Sequence, residues 1–176
     1  MICPSWLSFI LYNPVRKVFT DRKKILDESG VTAESVVLEG GAGNGFLTEI
    51  IAERAKKVIA VELQPGMVRK LEKRIDHIHE KVEIVSADIA SHPVGNAIAD
   101  VCILYYSFHE ISEKDKAAVL ISRAVKPGGI LAIYEPVLEV SKTKMEETVA
   151  FFEAQGFSVR SSRDRAFTRF ALLKKS

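Results

Sequence analysis

Cysteine is scarce in this chain, and the two present, Cys3 and Cys102, are too few for a disulfide framework. Neither they nor the four histidines, His77, His79, His92 and His109, show metal-binding spacing, so no metal is expected. A reducing, cytoplasmic setting is the default. Charge of one sign is also lacking. A formal net charge of +2, from 25 basic and 23 acidic residues, excludes a dedicated nucleic-acid coat and leaves room only for a local basic patch. Long hydrophobic runs are absent as well: the longest, Trp6 to Tyr12, is broken by Ser8 and falls far short of the ~20 residues of a spanning helix. No basic residue precedes it as in a secretory signal, since Arg16 and Lys17 come after, so it is expected to belong to the mature protein. Internal repeats, low-complexity tracts and domain linkers are missing too. What remains, 176 residues of which 47% are hydrophobic and 27% charged, matches a single globular domain. A chain of that length buries roughly 70% of its unfolded surface without disulfide or metal.

From residue 31 onward, short β-branched runs alternate with longer helical patterns, the mark of a parallel sheet with crossover helices. Strands are expected at Ser35 to Glu39, Val58 to Glu62, Val82 to Ala87, Asp100 to Tyr105 and Ile130 to Glu135. Each is nearly continuous in apolar residues, as interior strands are. Helical spacing of Phe46, Leu47, Ile50 and Ile51, and of Met67, Val68, Leu71 and Ile75, places helices after the first two strands, the second with Pro65 in its first turn. A third is expected from an N-cap at Ser112 to the Lys126-Pro127-Gly128-Gly129 turn. Another has Thr143 and Glu146 in capping-box spacing, a face of Val149 and Phe152, and Gly156 as its stop. Phe157 to Arg160 and Thr168 to Leu173 are joined by a short polar loop, too short for a parallel return, so they read as an antiparallel hairpin. Ahead of residue 31, Asp21 caps a short helix that Gly30 closes.

The run Val36-Val37-Leu38-Glu39-Gly40-Gly41-Ala42-Gly43-Asn44-Gly45-Phe46 takes a buried strand through a glycine-rich turn into a helix. Glycines at 41, 43 and 45 allow a tight turn and close approach of a ligand. The dinucleotide fingerprint fails because Phe46 stands where its last glycine belongs, and a phosphate loop fails because no lysine follows before Lys56. The loop instead carries a carboxylate, Glu39, and the next strand ends in another, Glu62, placed to accept from both hydroxyls of a ribose. The third strand adds Asp88 at the same sheet edge. A nucleoside is implied, and the acidic loop disfavours a phosphate.

These residues resemble the class I S-adenosylmethionine-dependent methyltransferases from about residue 20 onward: the acidic glycine loop, Glu62, Asp88, the Lys126 to Gly129 turn and the terminal hairpin. The resemblance implies an α/β, Rossmann-like, doubly wound sheet of seven strands in order 3-2-1-4-5-7-6 with strand 7 antiparallel. It also implies S-adenosylmethionine as cofactor and S-adenosylhomocysteine as product. Glu39 would face the methionine amino end, Glu62 the ribose and Asp88 the adenine amino group, with Gly40, Gly41, Gly43, Asn44, Gly45, Leu63, Ala87, Ile89 and Tyr105 completing the cofactor site. Residues 1–30 would form an N-terminal lid or helical segment on a single domain whose cofactor-binding part is residues 31–176.

The acceptor is governed by Leu104-Tyr105-Tyr106-Ser107-Phe108-His109-Glu110-Ile111. Adenine-amino methylases place Asn or Asp, then Pro, then an aromatic residue there, so that the ring stacks on the base. That motif is absent, although Val37-Leu38-Glu39, Phe46-Leu47-Thr48 and Ala60-Val61-Glu62 resemble the ribosomal-RNA adenine dimethyltransferases. The Ser-Phe-His-Glu run instead resembles small methylases grouped with the ubiquinone and menaquinone methyltransferases. A small-molecule acceptor, apolar or quinone-like, is therefore expected, with His109 and Tyr106 as candidate catalytic residues. RNA methylation and a non-catalytic cofactor-binding module stay open as alternatives. For the Trp6 to Tyr12 segment the favoured reading is a lid or packing strip, ahead of a homodimer contact or a peripheral membrane contact. The basic residues Arg160, Arg163, Arg165, Arg169, Lys174 and Lys175 are read as protection of an edge hairpin rather than a phosphate track.

Overall fold

The computed structural model describes residues 21–176; the expectations for a lid, membrane contact or dimer contact at Trp6 to Tyr12 lie outside the described residues. Helix α1 (Arg22–Glu28) opens with Asp21, whose carboxylate accepts the Lys24 N–H at 3.0 Å, and closes at Gly30 with φ +71°. The chain then runs β1 (Val36–Gly40), α2 (Thr48–Arg54), β2 (Lys57–Val61), α3 (Pro65–Ile75), a 3₁₀ segment (Asp76–Lys81), β3 (Val82–Val85), β4 (Ala99–Tyr105), α4 (Lys114–Ala124), β5 (Val125–Pro136), α5 (Lys142–Glu153), β6 (Phe157–Asp164) and β7 (Thr168–Lys175). The seven strands form one sheet in order β3-β2-β1-β4-β5-β7-β6. Strands β1 to β5 pair in parallel, and β7 runs antiparallel to both β5 and β6.

The apolar runs are continuous because successive residues feed two different layers. Val37, Val58, Ala60, Val101 and Ile103 pack toward α1, α2 and α3. Their neighbours Leu38, Ile59, Val61, Cys102 and Leu104 pack toward α4 and α5. β3 departs from the interior pattern, because as an edge strand it buries none of Val82–Val85 completely.

Two helix starts also differ from expectation. α4 begins at Lys114 with Glu113 rather than Ser112 in the cap position, and no side chain caps it. In α5 the cap is Ser141, whose hydroxyl accepts the Lys144 N–H at 3.2 Å; Thr143 already lies inside the helix. Its buried face is Met145, Thr148 and Phe152, with Val149 only partly covered. α4 stops before the Lys-Pro-Gly-Gly turn because Val125 already pairs with Ala99; pairing resumes at Ile130 with Val101. The four residues between them loop out opposite Asp100. There Lys126 Nζ donates to Asp100 Oδ1 at 2.7 Å and the Val36 N–H donates to Oδ2 at 2.8 Å. Burial opposes the charge on Asp100, but these two donors and nearby lysines outweigh it and lower the pKa.

Candidate functional site

The parallel strands end at one sheet edge, and there the neighbouring strands β1 and β4 continue to opposite faces: β1 into α2 on one, β4 into α4 on the other. Open α/β sheets hold ligands in the crevice at such a switch point. The loop after β1 turns with Gly41, Gly43 and Gly45 at φ +76°, +57° and +81°. Its Gly41 and Ala42 N–H groups donate to the Val61 carbonyl at 2.9 and 3.0 Å, tying it to the end of β2. Close approach here is first of all internal. A Cβ on Gly41 would lie 2.5 Å from Ser107 Cβ, one on Gly45 2.6 Å from Leu71 Cδ1, and one on Gly40 2.6 Å from Leu104 Cδ2.

Both predicted carboxylates sit around this loop. Glu39 is buried and its Oε2 accepts from the Thr48 hydroxyl at 2.6 Å. Burial pushes its carboxyl up to about 8; the Thr48 bond opposes this and the nearby Glu62 charge adds to it. Glu62 Oε2 accepts the Gly43 N–H and Oε1 the Gln64 N–H, each at 2.8 Å, so this nearly buried carboxylate faces the loop with its orientation fixed. Asp88 Oδ1 accepts the Ala90 N–H at 2.8 Å, and its carbonyl accepts the Ser91 and His92 N–H groups, so it also builds its own turn. The Ala87 N–H reaches the Glu62 carbonyl at 3.2 Å. Leu63 stands half exposed beside Glu62, whereas Ile89 is buried with its Cδ1 against Gly40. Asn44 Oδ1 is buried and finds no hydrogen-bond partner among the described residues, an orphan acceptor suited to a donor-bearing ligand. Among the described residues no cluster of His, Cys, Asp and Glu could hold a metal ion.

The loop after β4 forms the opposite wall. Tyr105 and Tyr106 stack at 4.4 Å and 8° between ring planes, and Tyr106 adopts φ +55°, unusual for a bulky residue. Its hydroxyl bonds the Thr168 hydroxyl at the start of β7. Ser107 Oγ donates to the Gly40 carbonyl at 2.7 Å. His109 is held on three sides: its N–H donates to Glu135 Oε1 at 3.0 Å, Nδ1 lies 2.5 Å from Glu135 Oε2, and Nε2 lies 3.2 Å from Glu139 Oε2. Burial disfavours a charged ring, but the bond to Glu135 and the charges of Glu135, Glu139 and Glu110 outweigh it and raise the pKa. Burial raises the Glu110 carboxyl, against the pull of His109 and with the repulsion of Glu139, Glu62 and Glu135.

Thr48, Ser107, Glu135 and Glu139 escaped the sequence reading as site residues. Glu135 carried a usable signal, since a single carboxylate ending an apolar strand is what marked Glu39 and Glu62. An open apolar groove of about 680 Å³ lies elsewhere, between α4 and α5, where Val119, Leu120 and Phe151 line it and the glycine loop does not.

Comparison with known proteins bears on this geometry. The family described as "Methyltransferase domain" matches residues 38–133. An uncharacterized methyltransferase of Geobacillus sp. (strain WCH70) is 28% identical over 158 residues, 89% of this chain and 68% of that protein. The chain thus spans about two thirds of that relative's length. A probable ribosomal RNA small subunit methyltransferase A of Methanosarcina acetivorans is 45% identical, but over only 65 residues, 37% of this chain and 24% of that one. The crystal structure of a SAM dependent methyltransferase from Aquifex aeolicus superposes with a TM-score of 0.85 at 23% identity, covering 100% of both chains.

Proposed function

Because the chain belongs to the class I methyltransferases, enzymes whose cofactor is S-adenosylmethionine, we propose that it methylates a small-molecule acceptor at the β1–β4 crevice. The observation that carries the proposal is the Glu39–glycine loop–Glu62 cradle, with the Tyr106 to Glu110 loop walling its open side. In this reading Glu62 holds the ribose hydroxyls. Glu39 and the orphan Asn44 Oδ1 receive donors at the amino end, and Asp88 faces the adenine amino group. When bound, the cofactor would supply an electrophilic sulfonium methyl group to the acceptor that these residues hold. Tyr105 and Tyr106 align the acceptor, and alignment supplies much of the rate in such an in-line displacement. His109 Nε2 receives the proton that a hydroxyl or ammonium acceptor gives up. An apolar acceptor is supported by the paired tyrosine rings and by Leu138 and Phe167, both largely exposed beyond β5 and before β7.

Methylation of RNA is a second reading, supported by the local likeness to a ribosomal-RNA methyltransferase. Against it stands the run after β4, which lacks the polar-Pro-aromatic arrangement for a flipped adenine. A screen of small metabolites and of ribosomal RNA with methyl-labelled S-adenosylmethionine tests both. Label in a small molecule, unchanged by salt, supports the proposal, and label only in RNA overturns it.

A further inference from the structure

Glu135, next to last in β5, is fully buried and anchors the loop after β4 at His109. One of its oxygens takes the His109 backbone N–H and the other faces the ring at Nδ1. A buried carboxylate must be matched by donors, and among the described residues these come from His109. A carboxylate also fixes histidine chemistry, because it accepts only: the ring nitrogen it faces must keep its hydrogen. Nε2 is in a different position. Its partner, Glu139, is half exposed and lies on the turn after β5, so Nε2 is the edge that can exchange partners.

We propose that Glu135 is a positioning residue for the methyl transfer: it holds His109 as the Nδ1–H form, so that Nε2 alone gains and loses the proton, with Glu139 occupying Nε2 until an acceptor displaces it. The inference rests on the reading of His109 as proton acceptor. The proton balance is closed within these residues. The hydrogen that Nε2 shares with the Glu139 carboxylate leaves on Glu139 when the acceptor displaces it; the proton given up by the acceptor then ends on Nε2, while the Nδ1 hydrogen stays shared with Glu135. Among the described residues the groups facing the ring and its backbone are Glu135 in β5, Glu139 on the turn after it, Glu110 beside the ring, and Lys114, whose Nζ donates to the His109 carbonyl at 3.2 Å. The carboxylates raise the ring's proton affinity and Lys114 is turned to the backbone.

Nitrogen-15 NMR of the full chain, titrated across neutral pH with the His109 ring assigned, tests this without an acceptor. In the parent the neutral form should show hydrogen on Nδ1, with a midpoint above 6.5. Glu135→Gln keeps an oxygen for the backbone N–H and turns its amide N–H₂ toward Nδ1. The neutral ring should then switch to the Nε2–H form, and its proton affinity should fall by about tenfold or more. Glu139→Gln should lower the midpoint and leave the Nδ1–H form in place. The affinity for S-adenosylhomocysteine, read by calorimetry, should be unchanged in both. An Nε2–H form in the parent, or an unaltered tautomer and midpoint in Glu135→Gln, would overturn the proposal. Should Glu135→Gln not fold, the parent's tautomer and the Glu139→Gln titration still decide it. Failure of the parent to bind S-adenosylhomocysteine would overturn the cofactor site instead, which the His109 signals do not report.

Discussion

Burial keeps the Glu39 carboxyl protonated up to about pH 8, and this single proton ties folding to pH. An acid whose folded pKa is raised binds its proton more tightly in the native state. Its contribution is therefore fully present below 4.5 and is lost as pH rises through about 8. Urea unfolding should show the parent losing stability relative to Glu39→Gln as pH rises from 4.5 to about 8 and levelling off above that; parallel profiles would contradict this. Arrival of a cationic amino group beside Glu39 should ionise it, so cofactor binding near neutral pH should release about one proton. Calorimetry in buffers of different ionisation enthalpy measures that release directly. Glu62 has a different task, since its two backbone bonds already fix its direction. With charge-assisted bonds worth roughly 1.5 to 3 kcal/mol each, Glu62→Ala should weaken S-adenosylmethionine binding by about 100-fold or more. A folded variant that binds as tightly as the parent would show that the ribose lies elsewhere.

Between elements, the tightest constraint is the contact of the glycine loop with the loop after β4. Gly41 is left-handed, and any Cβ there would collide with Ser107. Gly41→Ala should thus cost at least the ~1–3 kcal/mol of backbone strain plus the collision, read as a lowered denaturant midpoint. Adding Ser107→Gly should recover only the collision part; full recovery would mean that backbone strain is negligible. The core elements behave more simply. Phe152 of α5 is fully buried against Phe108 and Phe157, at ring separations of 5.2 and 5.9 Å. Phe152→Ala should cost about 3–5 kcal/mol, with the glycine loop unaffected in S-adenosylhomocysteine binding. At the end of β7 Lys175 Nζ donates to the Val125 carbonyl at 2.9 Å and to the Ser122 carbonyl at 2.5 Å, closing the end of α4.

For the molecule as a whole, the question of an anionic partner turns on the terminal hairpin. Arg163 and Arg165 pair with Glu28, and Arg169 pairs with Asp164 and donates to the Val140 carbonyl at 2.8 Å. With Lys175 also spent on helix carbonyls, most of this basic series is bound within the protein. Filter binding to ribosomal RNA should accordingly show nothing tighter than the nonspecific range of roughly 10⁻⁴ to 10⁻⁶ M at physiological salt. Tighter, steeply salt-dependent binding would return the RNA reading to first place.

The sequence by itself determined the strand–helix alternation of a parallel sheet, the glycine loop, Glu39 and Glu62 at strand ends, and the closing hairpin, whereas the strand order followed from the family resemblance. These are signals of period and residue identity within a few positions, as the agreement at Pro65 and at Asp21 also shows. Helix caps were less legible: Ser141 and Thr143 offer nearly equivalent hydroxyls two positions apart at the start of α5, and α4 begins behind Glu113 with no side-chain cap at all. Only the tertiary structure decided that Glu39 is a protonated acid, that Ser107 requires Gly41, and that Glu135 grips His109 from 26 positions away. Those facts depend on burial and on neighbours supplied by other strands. A carboxylate's solvation, unlike its place at the end of an apolar run, is set by everything that folds around it.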